Sequence, residues 1–377
     1  MRAASPPFRR FATPSPTLGE GTMNSPPPLW GRLAQRAWRG VLFGVALTLF
    51  ISPAHAQNDP FNYTGADRSA RILAGAKREG TVAVYSSITL ETMTRIVTAF
   101  EKKYATKVDL WRGTAGDILR RVATEARGRR FAVDVVEGAA ADTGSLARED
   151  VLQEVSSPFH AELMPGAVVK GRPWVSSRLS IFIAAYNTNA VSRAELPKTY
   201  EDLLHPRWRG RIGIEAGDAN WLMAMADTMG EPRALKLFGD IAAKNGFAPR
   251  VGHTLIANLI ASGEVPFSLT IYSEAVDRLK RTGAPIEALY LAPLIGMDNG
   301  LGVMKRSPHP YAAMLFYDFM LSDGQKIMQD DFYPASNLKY QRLPAGAKPV
   351  MMDVPKYLDQ NAKWTRLYKD ILARRPR

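Results

Sequence analysis

Residues Thr81 to Gly138 read TVAVYSSITLETMTRIVTAFEKKYATKVDLWRGTAGDILRRVATEARGRRFAVDVVEG. Three short β-rich runs stand in this stretch: Thr81–Tyr85, Lys107–Trp111 and Ala132–Val136. Between the first two, Met93, Ile96, Val97, Phe100 and Tyr104 recur at helical spacing. Between the second and third, Ile118, Leu119 and Val122 do the same behind the Gly113–Asp117 turn. Strand, helix, strand, helix, strand predicts a mostly parallel sheet with crossover helices, and so an α/β fold. Ligands of such sheets sit beyond the carboxyl ends of the strands. Ser86-Ser87, Arg112-Gly113-Thr114 and Glu137-Gly138 occupy those ends. Each alone reads equally well as a turn or a helix cap; the three together outline one wall of a cleft.

A second α/β block follows. Leu179–Tyr186 is a long apolar strand, and Lys198–Ile214 holds a Pro-rich turn and a further strand. Gly217-Asp218-Ala219-Asn220-Trp221 opens a helix, and Pro232 opens another in the first-turn position that suits proline. Thr254–Ala261 is helical and stops at Gly263. Val265–Ile271 is a buried strand, Leu301–Met304 another, and Tyr311–Leu321 a helix. With 377 residues the chain exceeds one comfortable core and suggests two lobes.

The chain carries no cysteine, which removes disulfides, CxxC zinc sites and thiol chemistry. Its formal net charge is +13, and six Arg against one Glu within residues 1–56 account for part of it. Elsewhere Lys and Arg are scattered, often beside Asp or Glu, without a basic run interleaved with aromatics; no nucleic-acid partner is expected. Arg36 and Arg39 precede an apolar run, Val41–Ser52, which ends in Ala54-His55-Ala56. This reads as a secretory signal cleaved near Ala56/Gln57. Twelve residues rise about 18 Å as a helix, short of a bilayer core of about 30 Å. A periplasmic location follows, and a lipid anchor is excluded because no cysteine can carry it. Residues 1–56 are set aside as an upstream extension plus signal, with Met1 and Met23 both available as starts. The motifs GxSxG, HExxH and GxxxxGK[ST] are absent and the five histidines do not cluster, so no enzyme is indicated.

Several phrases resemble the substrate-binding proteins of bacterial ABC importers related to the ferric-iron binders, which have the type II periplasmic-binding fold. They are the Asp202–Ile212 phrase (DLLHPRWRGRI), Pro308–Ala313 (PHPYAA) with Leu315–Ser322 and Gly324-Gln325, and the shorter Tyr85–Ser87, Val133–Glu137, Tyr186–Thr188 and Gly263–Val265. Together they span about residues 75 to 340. The resemblance implies two α/β lobes that close on a ligand by a hinge: 57–182 with 301–335, and 183–300 with 336–377. Crossing strands are implied near Ser180–Tyr186 and Asn299–Val303. It further implies an ABC permease as partner and a monomer.

The resemblance places a carboxylate near Glu137 and a tyrosine at Tyr272, which would be the metal ligands if the cargo were ferric iron. The second tyrosine and the first-loop histidine of the iron binders are missing, at Ile271–Ser273 and Ser86–Thr89. A small organic or anionic solute is therefore favoured, held by Ser86, Ser87, Arg112, Thr114, Glu137, Asp218, Trp221, Thr254 and Tyr272. Arg would fork onto an acid group, hydroxyls and helix amides would hold its oxygens, and Trp221 would stack on an organic body. Plainer readings stand beside these: a solvated Arg112, a helix-capping Asp218, a core Trp221, and His253 as a cap or a satisfied polar group. No resident cofactor is expected; Fe3+ enters only as transported ligand.

Overall fold

The computed structural model describes residues 59–343 and 347–376. The expected signal and its cleavage point lie outside the described residues. Among the described residues no helix is long and apolar enough to cross a membrane. The first block comprises α1 (Arg68–Glu79), β1 (Thr81–Ser86), α2 (Leu90–Tyr104), β2 (Lys107–Arg112), α3 (Ala115–Arg127), β3 (Val135–Ala139), α4 (Ala140–Arg148) and β4 (Leu152–Gln153). A long strand, β5 (Val175–Asn187), leads to the second block. That block holds β6 (Ile212–Glu215), α5 (Ala219–Met229), α6 (Glu231–Asn245), β7 (Ala248–Arg250), α7 (His253–Ser262), β8 (Phe267–Tyr272), α8 (Ser273–Arg281) and β9 (Ile286–Leu289). The chain returns through β10 (Ile295–Met304) to α9 (Pro310–Leu321), α10 (Asp323–Asp330), β11 (Val350–Met351) and α11 (Val354–Leu372).

The strands form one mixed sheet in the order β2-β1-β3-β10-β5-β8-β6-β7. β1 runs parallel to β2 and β3, and β6 runs parallel to β7 and β8. β5 and β10 join the two parallel groups and pair antiparallel with each other. The implied crossings thus fall within β5 and β10. Every residue of β5 is buried, including Ser176, Ser177, Arg178 and Ser180. β10 shifts register between Asn299 and Gly300, and a Cβ at Gly300 would come within 2.7 Å of Thr143. α11 packs against α5 and α6 of the second group and also against α4 of the first.

The third strand begins later than the expected Ala132, at Val135, because Asp134 is used otherwise. Its fully buried carboxylate accepts from the Ala83 amide (2.7 Å), the His309 amide (2.8 Å) and the Ser307 hydroxyl, and meets His309 Nδ1 at 2.9 Å. The first turn of α9 is satisfied from α1: Glu79 accepts from the Tyr311 and Ala312 amides, at 3.2 and 2.7 Å. Pro310 at the helix start has no amide to satisfy. α9 is buried on all sides from Ala312 to Leu321, as a helix apolar all round must be. Its one acid, Asp318, is neutralised by Arg68 of α1. The Pro308–Ala313 phrase is therefore an anchoring device. His205 is structural too: its Nδ1 accepts from the Arg207 amide (3.1 Å), starting the turn that buries Trp208 on Phe267.

Asp134→Ala strands buried donors on two segments. Each orphan costs about 1–3 kcal/mol, so a loss of about 3 kcal/mol or more is expected in urea unfolding with an unchanged slope. A loss below about 1 kcal/mol would contradict this account of the clamp.

Candidate functional site

The carboxyl ends of β1, β3, β6 and β8 meet the amino-terminal half of β5 in one polar region. At its centre lies an ion pair with almost no exposure. Glu137 ends β3, and its Oε1 accepts from Arg178 Nε at 3.0 Å. Its Oε2 accepts from the hydroxyl of Ser86 (2.8 Å) and from the amide and hydroxyl of Ser87 (3.1 and 3.3 Å). Arg178 also donates to Ser180 Oγ and Ser87 Oγ, both at 3.2 Å. Two buried charges are tolerable only when the remaining donors and lone pairs are so occupied. Glu137 is thereby committed to the protein.

Around this pair lie groups that are not satisfied. The guanidinium carbons of Arg178 and Arg278 lie 4.9 and 4.8 Å from the ring centre of Tyr333, in cation–π range. Buried Nη1 of Arg278 and buried Oε2 of Glu274 have no hydrogen-bond partner among the described residues. Both residues stand on α8, four positions apart. Burial pushes the Glu274 carboxyl up, against the pull of Arg278 and Arg178. The Tyr333 hydroxyl accepts from the Thr89 amide at 3.3 Å, at the start of α2. Neither Thr89 nor Tyr272 makes a side-chain cap bond to the helix it precedes, α2 and α8.

A second cluster sits at the carboxyl end of β6. Asp218 precedes α5 but makes no side-chain cap bond. It turns to His253, whose Nε2 lies 3.5 Å from Asp218 Oδ1. His253 Nδ1 lies 2.9 Å from the Thr270 carbonyl oxygen. Thr270 has φ 54°, a strained setting for a β-branched residue, worth about 1–3 kcal/mol. It also accepts the Glu215 amide on its hydroxyl at 3.1 Å. The Tyr272 ring stacks on His253 at 3.7 Å. Burial, then the carboxylates of Asp218, Glu274 and Glu215, push the Tyr272 phenol well up. Burial works against charge on His253, but Asp218 and Glu215 outweigh it and raise its pKa to about 9.

Among the expected site residues, Ser86, Ser87, Glu137, Asp218 and Tyr272 are brought to this region. Arg112 stands at its edge, with Nε 3.4 Å from the Ile88 carbonyl. Two expectations need correction. Trp221 is 1% exposed and packs between Tyr200 and Phe238, so it cannot stack on a solute. Thr114 is exposed and closes a reciprocal cap with Asp117 at the start of α3. Thr254 lies on α7 next to His253, exposed, with no hydrogen bond among the described residues holding its hydroxyl, and is left open as an expected contact. Arg178, Glu274, Arg278, Tyr333 and Glu215 are the residues that sequence reasoning missed. Arg178 stands one residue before the apolar run Leu179–Tyr186. Glu274 and Arg278 have the spacing of an ordinary surface helix pair.

Residues 81–333 match the family described as bacterial extracellular solute-binding protein, and the chain belongs to that family. It is 24% identical over 296 residues to iron uptake protein A1 of Synechocystis, covering 73% of this chain and 77% of that one. Among solved structures it resembles AfuA of Actinobacillus pleuropneumoniae with exogenous fructose-6-phosphate bound, at TM-score 0.70 and 21% identity. It also resembles iron-bound HitA of Pseudomonas aeruginosa, at TM-score 0.67 and 22% identity. These alignments cover 78% and 77% of this chain and 99% of each neighbour. The fold is thus the two-lobed, type II periplasmic-binding one.

The folded pKa of His253 lies above its unfolded value of 6.5. Its stabilisation is therefore complete below about 6.5 and is lost as pH rises through about 9. In chelator-treated protein, NMR titration should place His253 near 9, and Asp218→Asn should bring it down and flatten the stability loss on the alkaline side. A wild-type midpoint at or below 6.5 would contradict the assignment.

Proposed function

We propose that this chain captures a small organic anion in the periplasm, after signal cleavage near Ala56/Gln57, and hands it as a monomer to an ABC permease without chemical turnover. The lobes are taken as 57–182 with 301–335 and 183–300 with 336–377, closing over the polar region. The observation that carries the reading is the pair of unpartnered buried groups on α8, Arg278 Nη1 and Glu274 Oε2, beside Tyr333. A guanidinium Nη1 without a partner calls for a carboxylate or phosphate oxygen. A carboxylate oxygen without one calls for a hydroxyl or amino group on the same solute. The α2 and α8 amides would hold the acid's remaining oxygens, and Tyr333 would flank the body. Ser87 and Tyr272 offer further hydroxyls, with Ser86 and Glu137 holding the floor through Arg178. The sugar phosphate bound by AfuA supports this class of cargo.

Ferric iron or a ferric chelate is the second reading, supported by the relatives named for iron uptake and by iron-bound HitA. Glu137 and Tyr272 would then be the ligands. Against it stand the commitment of Glu137 to Arg178 and the absence of a second tyrosine beside Tyr272. Ferric iron as cargo prefers several anionic oxygens.

Thermal shift against a panel of small carboxylates and organic phosphates should find a stabilising solute, by about 2.7 kcal/mol at a hundredfold excess over Kd. Arg278→Ala should then weaken that solute by about 2–5 kcal/mol in calorimetry, with Arg278→Lys in between. Unchanged affinity in Arg278→Ala, or stabilisation by ferric citrate alone, would overturn the reading.

A further inference from the structure

We propose that Glu215, Asp218 and His253, at the β6 edge of the polar region, form a site for one divalent cation of the zinc class that is not itself the cargo. One ligand atom from each residue lies within 4.8 Å of the other two. The three come from different elements, the end of β6, the residue before α5 and the first residue of α7. Acidic residues near one another do not make a metal site, but here an independent feature points to an occupant. Asp218 is 5% exposed, and its Oδ2 has no hydrogen-bond partner among the described residues. Asp218 has also left the helix-capping role open to it.

The remaining geometry orients the other two ligands. The Thr270 carbonyl lies 2.9 Å from His253 Nδ1, which holds one proton there, so that a cation bound at Nε2 would replace the second proton, the one that faces Asp218. Such a carbonyl partner is the usual support of a metal-binding imidazole. The Tyr272 ring backs the imidazole at 3.7 Å. Glu215 Oε1 accepts from the Gly252 amide at 3.0 Å and Oε2 from the Gly217 amide, which holds the carboxylate while leaving lone pairs free. Two carboxylates and a neutral imidazole balance a divalent charge in a buried place. One nitrogen and two oxygens suit Zn2+ and its neighbours, whereas Ca2+ and Mg2+ require a fuller oxygen shell.

The test uses the full mature chain, stripped by chelator and titrated with Zn2+ by calorimetry, with metal content measured after gel filtration. One Zn2+ per chain is expected, with Mg2+ and Ca2+ failing to compete. Asp218→Asn and His253→Gln should each weaken Zn2+ by about a hundredfold or more, while Arg278→Ala leaves zinc affinity unaltered, so that failure of the solute reading is told apart. Should either variant fold poorly, wild type loaded with Co2+ still decides. It should show one paramagnetically shifted, exchangeable imidazole N–H from His253 Nδ1. No retained Zn2+, equal binding of Mg2+ or Ca2+, folded variants that bind zinc as wild type does, or a Co2+ form without that resonance would overturn the proposal.

Discussion

The Glu137–Arg178 pair joins the end of a parallel strand to the buried start of the strand that crosses to the second block. Neither charge would survive there alone; removing one partner of such a pair costs about 3–5 kcal/mol. The Ser86 and Ser87 hydroxyls complete its hydrogen bonding, so β1, β3 and β5 are tied at one point. That point is the floor of the polar region. Because it is internally neutral and satisfied, the groups around it are the ones left for a ligand.

Those outer groups have a different character. Arg278 Nη1, Glu274 Oε2 and Asp218 Oδ2 are buried and lack hydrogen-bond partners among the described residues. A folded protein rarely leaves such atoms unpaired, since each carries its desolvation cost without return. Arg68 Nε, Glu125 Oε2 and Asp331 Oδ2 share that state elsewhere, but Arg68 and Asp331 are held in ion pairs and Glu125 accepts from Tyr85 and Arg121 through its other oxygen. The unpaired set on β6–α5 and α8 is concentrated where the strands of the sheet end, the place at which α/β sheets bind.

The fold was largely legible in the sequence because periodicity is local: the run from Thr81 to Gly138 shows each strand and crossover helix within a few residues. The third strand was misplaced by three residues because Asp134 is bonded to the Ala83 amide and to His309, partners far off in the chain. The floor of the site was half legible. Ser86, Ser87 and Glu137 stand at strand ends, whereas Arg178 acquires meaning only from Glu137, which lies 41 positions earlier. Trp221 misled because a tryptophan at a helix start looks the same in sequence whether it faces a cleft or, as here, Phe238 and Tyr200. Glu274 and Arg278 were invisible for the converse reason: a pair four apart on a helix is the commonest surface pattern, and only burial separates this one from the rest.

The most direct measurement is native mass spectrometry of the mature chain as purified, under conditions that keep noncovalent ligands. The expected result is an adduct that releases, on activation, a small organic ion bearing a carboxylate or phosphate together with hydroxyl or amino groups. An adduct with the mass of one iron or a ferric chelate, in a protein coloured by tyrosinate-to-iron charge transfer, would contradict it.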